Sequence, residues 1–176
     1  MRSSSYAPQT AEALIETIPI SGNLDHFWKD LLELEENGEI IKTRFGTYGL
    51  PEKMGLVVGR FQLTSKGFGF VIPDNKGERP DVFIPPRALG GAMNNDRVMA
   101  RVESSSGGNK PEGEIIRIIT HANNKIVGIF HQSGDFGFVT PDDKRIGQDI
   151  YIMKRHFGGA KTNQKVVAEI TEWPVE

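Results

Sequence analysis

The chain contains no cysteine, which excludes disulfide staples and thiolate metal sites from its 176 residues. No apolar run is long enough to cross a bilayer as a helix, and no charged-then-apolar leader opens the chain. With no membrane partner implied, a cytoplasmic setting is expected. Surplus positive charge is also missing. Against 23 Asp+Glu stand 21 Lys+Arg, a formal net of −2, which argues against a uniformly basic nucleic-acid binder. Clustered metal ligands are absent too. Asp74 and Asp142-Asp143 sit in turn-like segments, and Glu33, Glu35, Glu36 and Glu39 read as a solvated helix surface and its exit. His26, His121, His131 and His156 show no ligand spacing. Gly67-Phe68-Gly69 is followed by no helix, so it is not a dinucleotide loop, and Ser3–Ser5 and Ser104–Ser106 have no base partner in sight. Neither a catalytic site nor a cofactor site is expected within this chain.

What is present is unevenly distributed. Residues 1–58 hold 5 Lys+Arg against 9 Asp+Glu, residues 59–110 hold 8 against 5, and residues 111–176 hold 8 against 9. The middle segment is therefore the basic one. Glycine is high at 20 and proline at 10, and 10 Phe outnumber 3 Tyr and 2 Trp. Short apolar runs in a Gly- and Phe-rich chain read as mainly β with tight turns.

Self-similarity decides the architecture. Phe68-Gly69-Phe70-Val71-Ile72-Pro73-Asp74 returns 68 residues later as Phe136-Gly137-Phe138-Val139-Thr140-Pro141-Asp142. At the same offset Asp81-Val82-Phe83-Ile84 meets Asp149-Ile150-Tyr151-Ile152, Arg87 meets Arg155, Gly90-Gly91-Ala92 meets Gly158-Gly159-Ala160, and Asn95 meets Asn163. Gly59-x-Phe61 matches Gly128-x-Phe130 if one residue is dropped. So long a period without a helical stripe indicates a duplicated small β domain. Strands are expected at Leu56–Leu63, Gly67–Pro73, Asp81–Ile84, Asp96–Glu103 and Glu114–Ile119, with a turn over Pro73–Gly77 and a loop at Ser104–Lys110. Five such strands suit a Greek-key barrel of the OB type. The partner of the first copy's closing strand would begin beyond Glu176, so the second barrel is expected to lack it and the chain to be part of something longer.

The first third reads differently. Ala11–Ile18 is expected to be a short helix capped by Thr10. A longer helix is expected over Leu24–Glu36, with Leu24, Phe27, Leu31 and Leu34 as its core face and Asn37-Gly38 as its stop. Glu39–Thr43 and Thr47–Leu50 then form a hairpin around Arg44-Phe45-Gly46. Two helices and a two-stranded wing outline a partial winged helix whose first helix is not visible. Its excess of carboxylates makes it a poor phosphate binder and suits a docking or regulatory role. The expected domains are thus 1–54, 55–120 and 125–176.

Alternate strand residues share a face. If Val71, Val82 and Ile84 point into the barrel, then Phe68, Phe70 and Phe83 are left outside. An exposed aromatic cluster suits stacking of unpaired bases, and Gly67 and Gly69 beside the rings leave room for a ligand backbone. The same rings could instead pack on a neighbouring domain. Lys66, Arg60 and Arg87 are placed to meet phosphates, although repeated arginines also serve as ion-pair partners. Phe61 and Phe130 are expected in the cores.

Lys66-Gly67-Phe68-Gly69-Phe70-Val71 followed by Asp81-Val82-Phe83-Ile84 resembles the two RNA-binding motifs of cold-shock domains. The wider run, from Leu50-Pro51-Glu52-Lys53-Met54 through Pro85-Pro86 and Gly90-Gly91-Ala92-Met93 into the second copy, resembles the N-terminal region of the bacterial ribonuclease R family from about Tyr6 to Glu176. In that family a winged helix and two cold-shock domains precede a catalytic domain and an S1 domain. The resemblance implies a parent enzyme that degrades RNA from the 3′ end with magnesium, the cold-shock domains capturing single-stranded RNA. It implies RNA contacts at Lys66, Phe68, Phe70, Phe83, Arg60 and Arg87, and in the second copy at Phe136, Phe138, Tyr151 and Lys154. Two departures stand out. Pro85 and Met153 occupy a position where many cold-shock domains have His. In the second copy Gly134 and Asp135 replace Lys66 and Gly67, so a carboxylate adjoins the aromatic face and weaker binding is expected there, with Lys154 and Arg155 in partial compensation.

Overall fold

The computed structural model describes residues 6–20, 22–75, 79–103 and 110–173. Lys76 and Gly77 of the expected turn, residues 104–109 of the expected loop, and Met1–Ser5 lie outside the described residues.

β1 (Gln9–Thr10) leads directly into α1 (Ala11–Thr17), where the Thr10 hydroxyl accepts from the Ala13 amide at 3.3 Å. α2 (Leu24–Glu36) is capped by Asn23, whose side-chain oxygen accepts from the Asp25 amide at 3.2 Å. β2 (Ile41–Lys42) and β3 (Thr47–Gly49) form the wing, and β1 adds a third strand on the other side of β3. That strand is two polar residues long and leaves no alternation to read in the sequence. The core face of α2 is also narrower than its periodicity suggests. Leu31 is buried and Phe27 and Leu34 are half-buried, but Leu24 is 51% exposed. Spacing reports direction around a helix axis, and among the described residues the first turn, where Leu24 sits, is left exposed.

The middle third closes into a barrel of β4 (Leu56–Leu63), β5 (Gly69–Pro73), β6 (Val82–Ile84), β7 (Arg97–Glu103) and β8 (Glu112–Thr120), in the order β4-β5-β6-β8-β7. All pairings are antiparallel except β6 with β8, where Phe83 faces Glu112. Phe61, Val71, Val82, Ile84, Val98 and Ala100 fill the interior. The expected inward set is therefore correct, and Phe61 is fully buried. The role expected of Gly69 is not. A Cβ built on Gly69 would lie 2.3 Å from the Phe61 ring, so this glycine makes room for a core aromatic, not for a ligand. Gly137 does the same for Phe130 in the second copy, at 2.5 Å. Gly67 lies outside β5 in a turn with φ +84°.

The barrel also terminates α2. No basic residue occupies the last turn of that helix, so its free carbonyls need donors from elsewhere. Arg117 donates to the Glu35 and Glu36 carbonyls at 2.9 and 3.2 Å, and Arg97 donates to the Asn37 carbonyl at 2.6 Å. Both guanidinium groups belong to the barrel and oppose the negative end of the helix dipole. Gly38 (φ +72°) follows, with Ile119 Cδ1 only 2.5 Å from where its Cβ would stand. Glycine is thus required there by both the backbone and the close approach.

β9 (Lys125–Ser133), β10 (Phe136–Pro141), β11 (Ile150–Met153) and β12 (Lys165–Glu169) build the second copy as a four-stranded sheet, order β11-β10-β9-β12. Among the described residues no strand joins β11 to β12 as β8 joins β6 to β7. A groove of about 530 Å³ lies between them, with Ile150, Ile152, Ala168 and Trp173 on its walls. At the junction of the two copies the buried Asp96 carboxylate accepts from the Met93 and Ala122 amides, both at 2.9 Å, and lies 3.1 Å from His121 Nδ1.

Candidate nucleic-acid interface

The alternation that buries Val71, Val82 and Ile84 turns Phe70 and Phe83 outward, and the register makes those two direct cross-strand partners. Phe68, in the turn just before β5, completes a three-ring cluster. Centroid separations are 5.9 Å (Phe68–Phe70), 5.6 Å (Phe68–Phe83) and 5.8 Å (Phe70–Phe83), with interplanar angles of 87°, 48° and 61°. Such tilted packing lets the rings support one another while leaving π-faces available. All three remain half-buried on the outside of the barrel. The end of α2 meets the barrel elsewhere, through the Arg97 and Arg117 guanidinium groups of β7 and β8.

The candidate cations stand in different environments. Lys66 is exposed in the turn between β4 and β5. Arg60 lies on the same outer face as Phe70, one pleat along, and its guanidinium donates to the Asn95 side chain at 3.0 Å. Arg87 is paired with Glu112 at 2.8 Å in an exposed bridge. One cation beside the rings carries no signal in the sequence. Lys110 Nζ lies 5.1 Å from the Phe70 centroid, within cation–π range. It stands just before β8, forty positions along the chain from Phe70, so no local pattern marks it. Gln62, the direct partner of Phe70 on β4, was also missed. It places an amide at the edge of the platform.

The second copy repeats the platform in altered form. Phe136 and Tyr151 stack with centroids 5.6 Å apart and planes 23° apart, and Phe138 stacks with His131 at 5.1 Å and 26°. Tyr151 is 61% exposed and Phe136 40%. His131 is another residue that sequence spacing did not single out. Its strand partner is Phe138, which is legible only once the register is known. Asp135 does adjoin the aromatic face, but as half of an ion pair: Lys154 Nζ lies 2.7 Å from its carboxylate. Arg155 donates to the His156 ring at 2.9 Å.

The hydrogen bond and charge of Lys154 hold the Asp135 carboxyl below its ordinary range, and Asp135 raises Lys154 in return. Because the Asp135 shift is downward, the pair is complete above the ordinary carboxylate range and is lost only as pH falls through the lowered value. At neutral pH Lys154 is therefore held by a carboxylate. Asp135→Asn is expected to release it, raising affinity for a single-stranded oligonucleotide about two- to fivefold in low salt and by nothing measurable in high salt, since exposed charges are screened. Fluorescence anisotropy at two salt concentrations checks this, and an unchanged low-salt affinity would mean that Lys154 does not reach the ligand.

A closed five-stranded barrel with one parallel closure, an external aromatic cluster on its second and third strands, and a second copy behind it define a tandem protein of the OB and cold-shock class. Comparison with known proteins agrees. The Ribonuclease B OB domain model matches residues 59–118, and the Cold shock domain model matches residues 138–176. Ribonuclease R of Thermotoga maritima is 37% identical over 81% of this chain, that of Vibrio parahaemolyticus 31% over 94%, and that of Escherichia coli 28% over 95%. The chain belongs to the ribonuclease R family and corresponds to its N-terminal region. It spans about a fifth of the length of these relatives, between 19% and 20%. Yeast Ssd1, a pseudonuclease, shares the fold with a TM-score of 0.56 at 14% identity, covering 70% of this chain and 21% of that one.

Proposed function

We propose that this chain is the RNA-capturing front of a ribonuclease R-type enzyme that degrades RNA from the 3′ end. The half-exposed Phe68–Phe70–Phe83 cluster, with Lys110 above it and Lys66 and Arg60 around it, carries this reading. Aromatic faces stack successive bases whatever their identity, and flexible cations beside them neutralise the phosphates between. The ligand is single-stranded RNA, because bases in a duplex present no free face. The first barrel is the stronger site: its segment is the basic one, whereas Asp135 occupies Lys154 at the second platform. Catalytic and S1 domains of the parent are the expected partners in cis.

Magnesium, which the family resemblance implies for the parent, finds no fitting donor set here. Among the described residues no three His, Asp or Glu side chains converge. In this reading the chain's own residues hold and orient RNA.

The test is a titration of labelled single-stranded RNA followed by anisotropy over a range of salt. Each phosphate neutralised adds about 0.7 to the slope of log K against log salt for a single strand. With two to four of Lys66, Arg60, Lys110 and Arg87 engaged, a slope of roughly −1.4 to −2.8 is expected. Absence of binding in low salt, or a slope near zero, would overturn the reading in favour of a regulatory segment that gates access to the catalytic domain.

A further inference from the structure

Outside the barrels an unexplained apolar surface lies on α2. Leu24, Trp28 and Leu32 recur every fourth residue and are 51%, 42% and 58% exposed. At about 100° per residue, four positions advance a residue by only about 40° around the axis, so the three form one continuous stripe. The stripe is not the core face, which is carried by Phe27, Leu31 and Leu34. The α2 end and the barrel that caps it are joined through backbone carbonyls, which leaves the stripe uncovered among the described residues. Solvated Trp and Leu in a row cost solubility, and a surface helix has no folding reason to present them.

The charges along the stripe indicate what covers it. Asp25, Asp30, Glu33, Glu35 and Glu36 share the helix, and Lys29 is its one Lys or Arg. Residues 1–58 as a whole carry 9 acidic against 5 basic side chains. Carboxylates in this number repel phosphate, so neither RNA nor an anionic membrane is the natural occupant. A second copy would bring the same acidic stripe against itself. The complementary surface is apolar and flanked by Lys or Arg.

We propose that the Leu24/Trp28/Leu32 stripe is a protein-docking surface for a cationic amphipathic segment of a partner, seated as a helix is seated by i, i+4, i+8 anchors. Trp28 stands in the middle and is the expected anchor, since central aromatic residues dominate such contacts. The site is separate from the RNA platforms, and its existence does not depend on them.

A fluorescently labelled 18-residue peptide of Leu and Lys in amphipathic order serves as the probe, with this chain as the receptor. Its controls are a peptide of the same composition with the leucines dispersed, one with Glu in place of Lys, and single-stranded RNA. Binding of the ordered cationic peptide is expected to be at least tenfold tighter than that of the dispersed one. It should weaken at least tenfold in Trp28→Ala/Leu32→Ser, whose RNA affinity and far-UV circular dichroism remain those of the parent. Replacing surface residues this exposed leaves the fold intact, and the single variant Leu32→Ser gives a smaller loss of the same sign. Equal binding of the ordered and dispersed peptides overturns the proposal, as does an unchanged affinity in the variants or a preference for the Glu peptide. Self-association of the chain that the double variant abolishes, measured by sedimentation velocity, would replace the partner with a second copy. Loss of RNA affinity in that variant would assign the stripe to RNA. If RNA binding fails and peptide binding holds, only the RNA reading falls.

Discussion

Replacing Phe68, Phe70 and Phe83 together by alanine is expected to weaken binding of single-stranded RNA by roughly a hundredfold, about 2.7 kcal/mol, which is two bases at the lower part of the range of about 1–3 kcal/mol per stacked base. The three rings are mutually in contact. Single replacements should therefore be less than additive, because the two remaining rings can still offer a face. The salt slope should change little, since no cation is removed, although Lys110 loses the ring it lies over. Stability should fall less than affinity, because these side chains lie outside the barrel interior, which is untouched. Anisotropy titration of parent and variant, with circular dichroism to verify the fold, separates the two effects. A folded variant that binds as the parent does would remove the aromatic cluster from the RNA site and leave only electrostatic attraction.

Phe61→Ala is expected to act in the opposite sense, destabilising the first barrel by about 3–5 kcal/mol. Phe61 is fully buried, and its ring fills the space that Gly69 leaves by having no side chain. Alanine would leave a cavity bounded by Val71, Val82 and Ile84, residues whose backbone is tied into a closed barrel and cannot collapse around it. Typical domains have only about 5–15 kcal/mol in hand, so the loss is a large fraction of the total. Hydrogen exchange should show it locally, with protection reduced throughout β4–β8 and retained in β9, β10 and β12. Unchanged exchange in β4–β8 would mean that the ring is not part of the cooperative core. Gly69→Ala tests the same contact from the other side: its Cβ would meet the Phe61 ring and the Gln62 carbonyl, the latter at 2.5 Å. Two phenylalanines of one domain thus have separate jobs, Phe61 holding the barrel and Phe70 presenting a surface.

Much of this is legible in the sequence. The 68-residue repeat predicted two copies of one β domain, and alternation assigned Val71, Val82 and Ile84 inward and Phe70 and Phe83 outward. The strand reading held to within two residues for each strand of the first barrel. Where it failed, the missing term was a partner far along the chain. Gly69 was read as space for a ligand because the ring that fills its place belongs to another strand. Leu24 was read as core because periodicity cannot say where the neighbouring element ends.

Sequence alone determined the duplication, the domain class, the two faces of β5 and β6 and the capping of α1 by Thr10, all of which follow from local stereochemistry and short-range period. Tertiary structure decided which charges are free and which are spent. Lys154 is held by Asp135, 19 residues away, and Arg87 by Glu112, 25 away. Arg117 reaches back 82 residues to close α2, and Lys110 is carried onto Phe70. The reason is physical: a side chain's rotamer and turn preferences are set within a few residues, but its charge partner is set by whatever the closed barrel brings beside it.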